Sequence, residues 1–267
     1  MARAYAGRAR PERARAAKPR VRLEDSDGAR SLVVDETFAS FYRPGELATR
    51  CVWDAIAAPL LFLPPKRRRR ILILGLGGGS VARLARAIAP AAEIVGVELD
   101  AEVVRLARAH FDLDRLGLRV ELADARAWLE EKARAGARAG RFDAVLEDVF
   151  IGRGDAVRKP DWIPEPAHAQ AANLLARGGV FVSNTLDEHG RVAAAMRERF
   201  ASVAEIQVVD YDNRVLVAGD AALTGAALRR VVAASPILRE SLPLLSFRTR
   251  IGAAGAASTA ARPAPGR

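Results

Sequence analysis

Cys51 is the only cysteine in a chain of 267 residues, so intrachain disulfides and cysteine-ligated zinc clusters are excluded. His110, His168 and His189 are the only histidines; they are scattered without metal-ligand spacing, and no metal site is expected. No apolar run is as long as a membrane span. The Arg-rich N-terminus has no apolar core segment, so it is not expected to act as a secretory signal. A cytoplasmic enzyme with no membrane partner is the expectation.

The net charge of +10 suggests a polyanionic partner until it is located. Residues 1–22 contribute +7, Lys66 to Arg70 contribute +5, and the last twenty residues contribute +4, which leaves the rest of the chain at −6. The folded body is therefore acidic, with basic ends and one basic loop. Charge runs of this kind are usually solvated, so nucleic acid is not the expected partner.

The most informative stretch is Ile71-Leu-Ile-Leu-Gly-Leu-Gly-Gly-Gly-Ser80. Its four leading apolar residues read as a strand buried on both faces. Val81, Leu84, Ala85 and Ile88 follow at helical spacing, so the chain turns from strand to helix within the glycines. Such a turn lets a ligand approach the backbone closely, and the helix start beyond it offers unpaired N–H groups. Gly75 and Gly77 fill the first two places of a dinucleotide fingerprint, but Ser80 stands where its third glycine belongs. The spacing of Gly75, Gly77 and Gly79 fits a methyl-donor site equally well. A tight turn without a ligand is the bland alternative.

The remaining pattern divides the chain into four parts. Residues 1–19 read as a disordered basic tail. Residues 20–64 read as a small N-terminal β-hairpin, turning at Asp25-Ser-Asp-Gly28, plus a helix from about Glu46 to Leu61. Its apolar face includes Val52, Trp53, Ile56 and Leu60. Residues 65–247 alternate strand and helix, which implies a mostly parallel sheet. The strands are Ile71 to Leu74, Glu93 to Glu98, Leu118 to Leu122, Phe142 to Glu147 and Val180 to Asn184. Two more, Ala204 to Asp210 and Arg214 to Ala218, form a terminal antiparallel hairpin. Seven strands of an α/β, Rossmann-like methyltransferase fold result, because a pure dinucleotide domain usually ends on another parallel strand. One or two short helices are expected over residues 223–247, and a second disordered tail over 248–267.

Ligands of such sheets bind at the carboxyl ends of the strands. The glycines follow the first strand. Glu98 ends the second, where a carboxylate can accept hydrogen bonds from both ribose hydroxyls. Asp124 and Ala125 follow the third, placed to meet an adenine amino group. Asp148 follows the fourth, beside the position of a reacting group. Each acid alone reads as an ordinary helix cap, but acids or glycines at four strand ends in succession point to one adenosine site. The cofactor-binding set is therefore Gly75, Leu76, Gly77, Gly79, Glu98, Asp124 and Ala125.

Ile71 to Gly79, Val97-Glu-Leu-Asp100, Ala123-Asp-Ala125, Phe142 to Asp148 and Leu175 to Val182 together resemble the spermidine synthase (polyamine aminopropyltransferase) family of the class I methyltransferase-like fold. That resemblance implies S-adenosylmethionine or its decarboxylated form as co-substrate, a small-molecule amine as acceptor, Asp148 as the catalytic residue, and a homodimer. Three departures stand out. Gly78 replaces an aspartate that holds the amine end of the decarboxylated donor in the family. Val149, Phe150 and Ile151 follow Asp148, where the family places a second acid. Ala39 stands in place of a glutamine.

The chemistry implied is attack of a neutral amine on a carbon bonded to sulfonium, with Asp148 as proton acceptor. Residues 149–166, long and rich in Gly and Pro, are expected to close over the acceptor as a lid with Trp162 in its wall; proteolysis at Arg153, Arg158 or Lys159 that saturating ligand leaves unchanged would argue against closure. An S-adenosylmethionine-dependent methyltransferase and a non-catalytic protein of the same fold are the alternatives. An NAD enzyme is disfavoured by Ser80 and the closing hairpin.

Overall fold

A computed structural model describes residues 20–250; both expected tails lie largely outside them. Strand β4 (Arg70–Leu74) is the middle one of the five parallel strands in an eight-stranded sheet, and its last four residues are buried, as the unbroken apolar run requires. Helix α2 (Ser80–Ile88) leads to β5 (Glu93–Glu98), α3 (Ala101–His110), β6 (Arg119–Leu122) and α4 (Ala125–Ala135). The chain then crosses to the other side of β4, where β7 (Phe142–Glu147), α5 (Ala167–Leu174), β8 (Leu175–Thr185) and α6 (His189–Arg197) follow. Strands β6, β5, β4, β7 and β8 are parallel neighbours in that order. The order reverses direction between β4 and β7, and the crevice at such a reversal is where α/β sheets bind ligands.

Beyond β8 the sheet is antiparallel: β10 (Arg214–Gly219) pairs with β8, and β9 (Ser202–Val208) pairs with β10. Helix α7 (Gly225–Ala233) precedes an additional edge strand, β11 (Leu245–Thr249), paired with β9. The sheet thus has eight strands rather than seven, and Arg248 and Thr249 belong to it rather than to a tail. Phe247 and Leu245 lend apolar contacts to the core, but flanking polar residues hide the strand in a period-based reading. Two cores result. One face packs α1 (Val52–Ala57), α2 and α7; the other packs α4, α5 and α6.

The expected N-terminal hairpin forms from β1 (Val21–Ser26) and β2 (Ala29–Val34), and an additional strand, β3 (Thr37–Tyr42), extends it into a three-stranded meander. Leu32 of the meander packs on Val103, Leu106 and Phe111 at α3. The helix expected from Glu46 starts only at Val52, because Asp54 gathers the preceding loop. Its buried carboxylate accepts from Thr49 N (2.8 Å), Thr49 Oγ1 (2.7 Å), Arg50 N (2.8 Å) and Ser241 Oγ (2.6 Å). Strand β8 also begins five residues earlier than expected, taking Gly178 and Gly179 into the sheet. A Cβ at Gly179 would stand 2.7 Å from the Asp143 carbonyl, so only glycine allows the strands to meet there.

Candidate functional site

The glycine turn and the three acids placed at strand ends by the sequence follow four adjacent strands, in the spatial order β7 (Asp148), β4 (the glycines), β5 (Glu98) and β6 (Asp124). Gly75 N and Leu76 N donate to Val97 O at 3.0 and 3.1 Å, fastening the glycine turn to the end of β5. Asp148 N donates to Leu74 O at 2.8 Å on the other side. Gly75 has φ +81°, and a Cβ there would lie 2.5 Å from the Asp148 carbonyl oxygen. No other residue permits this approach of β4 to β7 at the switch point.

Glu98 reaches directly into the turn. Its Oε2 accepts from Gly77 N (2.9 Å) and its Oε1 from Asp100 N (3.0 Å). Burial pushes this carboxyl above its ordinary value, with the Gly77 N–H acting in opposition. A carboxylate accepts more bonds than these two, so capacity for a pair of hydroxyls remains. Ala123 N donates to Glu98 O at 2.9 Å, which brings Asp124 beside it. The Asp124 side chain caps α4 through Ala127 N at 2.9 Å, as its bland reading expects, and this bond occupies one carboxylate oxygen. Ala125 is buried behind it, while Leu99 is 68% exposed. An apolar side chain left in water between two acids offers a flat ring a surface to cover.

Strand β3 of the meander seals the turn from above. Ser80 Oγ both donates to Phe41 O and accepts from Phe41 N, each at 2.9 Å. Ser40 Oγ accepts from Gly78 N at 2.6 Å. A Cβ at Gly78 would lie 2.8 Å from Ser40 Cβ and 3.3 Å from the Phe111 ring, so no acid fits at that position. The serine that breaks the dinucleotide pattern is thus a pin between two sheets, and Gly78 is the socket for another. Nothing in the local sequence around Ser40 signals this contact.

On the other side of the switch point, Asp148 is half-buried and Asn184 Nδ2 donates to its Oδ1 at 2.8 Å. Asn213, in the turn between β9 and β10, donates in turn to Asn184 Oδ1 at 3.1 Å. Burial raises the Asp148 carboxyl to about 6; Lys159 and the Asn184 and Trp53 side chains oppose this, and Glu147 adds to it. Trp53 is therefore more than the core residue its helical spacing implied. Its ring also meets Phe38 edge-on at 4.9 Å.

Directly beneath Asp148 lies a buried ion pair. Glu147 is 1% exposed and Lys159 fully enclosed, with Nζ donating to Glu147 Oε1 at 2.6 Å and to Val149 O at 2.9 Å. Val149 N and Ser183 Oγ also donate to Glu147, at 2.7 and 2.5 Å. Burial alone would push the Glu147 carboxyl up; the Lys159 ammonium, with His168 behind it, more than reverses this and holds it well below its ordinary value. Lys159 thereby grips the residues on both sides of Asp148. Lys159 is thus buried at the bottom of the loop rather than exposed on it. The loop is held further by bonds from Gly154 N to Asp35 O (2.9 Å) and between Ile151 and Arg158 (2.9 Å each way). Trp162 is partly buried and packs against the α4–α5–α6 core. Asn184 was within reach of the strand-end rule that found the acids; Lys159, amid Gly and Pro, carried no such signal.

No family model matches the chain. A polyamine aminopropyltransferase of Vibrio vulnificus is 31% identical over 170 residues, covering 60% of this chain and 52% of that protein. The chain is similar to polyamine aminopropyltransferases. It spans about half the length of the curated relatives it matches. Among solved structures, a probable spermidine synthase from Corynebacterium glutamicum superposes with a TM-score of 0.65 at 22% identity, covering 86% of this chain and 87% of that one. Human methyltransferase-like protein 13, solved in complex with SAH, gives 0.60 at 22% identity over 72% of this chain and 93% of that one. The fold is the Rossmann-like one shared by methyltransferases and spermidine synthases, as the sequence pattern implied. Among the described residues no group of acids, histidines and cysteine is arranged to hold a metal, and no helix is long and apolar enough to cross a membrane.

Proposed function

We propose that the chain transfers an aminopropyl or other alkyl group from an S-adenosylmethionine-type sulfonium to a small-molecule amine. One observation carries the reading: a carboxyl raised to about 6 stands at the switch point, backed against the glycine turn and aimed by Asn184. Glu98 would receive the ribose hydroxyls, Asp124 and Ala125 the adenine edge, and Gly75, Leu76, Gly77 and Gly79 the remainder of the donor. An alkyl amine is protonated in neutral water, with a pKa of about 10, and attacks only after losing that proton. Asp148 attracts the cation and accepts the proton, and a base of raised pKa does this better than an ordinary carboxylate. The fixed Asn184–Asp148 geometry supplies orientation along the line of attack. A homodimer in which the meander contributes its edge belongs to the same proposal.

Gly78 favours a second reading, methyl transfer from S-adenosylmethionine itself. Ser40 fills the space a side chain would need, so no acid repels a donor carboxylate there. Calorimetry with each donor, followed by addition of putrescine, separates the two. Tight binding of the decarboxylated donor and release of 5′-methylthioadenosine on adding amine supports aminopropyl transfer. Binding of S-adenosylmethionine alone supports the second reading, and binding of neither refutes both.

A further inference from the structure

Far along the sheet from the glycine turn, on the face that carries α6, Arg197, Arg214, Arg248 and Arg250 surround Glu205 in a concavity of about 250 Å³. Register explains the convergence: Arg248 pairs opposite Glu205 across β11 and β9, and Arg214 lies on β10 alongside. Glu205 is 2% exposed. Its Oε1 accepts from Arg214 Nη1 at 3.0 Å, and its Oε2 accepts from Arg250 Nε at 2.6 Å and also from Arg250 Nη2. Burial would raise this carboxyl, but Arg250 and Arg214 outweigh it and hold it below its ordinary value.

Two guanidinium planes are thus fixed by a buried carboxylate that they have already neutralised, and each keeps further donors. Arg197 and Arg248 are exposed and make no ion pair among the described residues. Residues 251–267 contain neither Asp nor Glu, so the adjoining segment has no acidic side chain to offer. Four cations against one anion leave a concentrated surplus of positive charge in a concave site. Planar forks of this kind match the several acceptors of a tetrahedral oxyanion.

We infer that this concavity binds a phosphate group, with Glu205 orienting Arg214 and Arg250 and with Arg197 and Arg248 closing on the ligand. The site is separate from the proposed transferase centre and does not depend on that reading. Titration calorimetry at low salt, with inorganic phosphate, pyrophosphate and ribose 5-phosphate as probes, tests it on the full chain. Saturable binding of at least one probe is expected, weakened about tenfold or more in the Arg197→Ala/Arg248→Ala double variant. Preference for ribose 5-phosphate over the inorganic probes would assign an organic phosphate; the opposite preference would assign the free ion. Neither substituted residue supports Glu205, so an unchanged circular dichroism melt accompanies the loss. Absence of heat with all three probes overturns the inference, as does equal affinity in the double variant. Binding of 5′-methylthioadenosine, measured alongside, is expected to be the same in both proteins.

Discussion

The two sides of the switch point are built by different means. On the β4–β5–β6 side, backbone N–H groups, glycines and one carboxylate form the site, and most contacts span a few residues beyond a strand end. On the β7–β8 side, a buried ammonium, two amides and an indole converge from the 149–166 loop, β8, the β9–β10 turn and α1. In the proposed reaction the first side would hold the nucleoside and the second would carry the chemistry. Its acids are unlike each other: Glu147, bonded to Lys159, stays ionised far below neutrality, whereas Asp148, one residue away, is raised to about 6. Adjacent carboxyls pushed in opposite directions fit the proposed division between a structural anion and a proton acceptor.

The largest effect that would test this asymmetry is at Asp148. Asp148→Asn is expected to reduce turnover by about 10²–10⁴-fold while leaving donor affinity, measured by calorimetry, nearly unchanged. In the unsubstituted protein the proposed transfer rate should rise with pH through about 6, since the form proposed to accept the proton is the carboxylate. The stability effect has the opposite sign. The folded carboxyl holds its proton above its unfolded value of 3.8, so the native state binds more protons between the two values and loses stability as pH rises through that window. Asp148→Asn should therefore melt at a higher temperature at pH 7.5, by the equivalent of about 2 kcal/mol. That gain should shrink as the pH falls toward the unfolded value.

Lys159 is the next largest. Lys159→Met leaves Glu147 buried and unpaired, with an expected loss of about 3–5 kcal/mol in urea unfolding. The Lys159→Met/Glu147→Gln double variant should recover part of it. In whichever of these variants folds, loss of the ammonium removes a stabilising charge from Asp148 and should shift the pH–rate profile upward. An unchanged profile would make Lys159 purely structural.

The glycine side responds more to shape than to charge. Gly75→Ala places a Cβ against the Asp148 carbonyl at a positive φ, with an expected cost of about 1–3 kcal/mol and a fall in donor affinity. The smallest effect is at Asp124. Asp124→Ala removes the α4 cap, about 1 kcal/mol by thermal melting, and should weaken 5′-methylthioadenosine binding as well. Loss of stability without loss of binding would reduce Asp124 to a cap.

The contrast also explains what could be read in advance. The strand, turn and helix around Gly75 follow from an apolar run, glycines and helical spacing within a short stretch of chain, so β4, α2 and the ends of β5, β6 and β7 were legible. So was the placement of Glu98 and Asp124, since sheet topology brings strand ends together wherever the alternation is regular. Strand β11 was not, because a polar edge strand has no two-sided apolar pattern. The meander's third strand was not legible either, because its apolar residues do not alternate cleanly: Phe38 is exposed against Trp53 and Phe41 is only partly buried.

Local sequence alone settled the α/β alternation, the glycine turn and the row of acids at strand ends, because periodicity and turn chemistry act over a few residues. Tertiary structure alone decided that Lys159 is buried, that Ser40 occupies the space beside Gly78, and that Asn184 and Trp53 address Asp148. Those outcomes depend on burial and on contacts between segments up to 95 residues apart, as in the approach of Trp53 to Asp148. A charge's behaviour is set by what surrounds it in space, and neighbours in space are not written in the order of the chain.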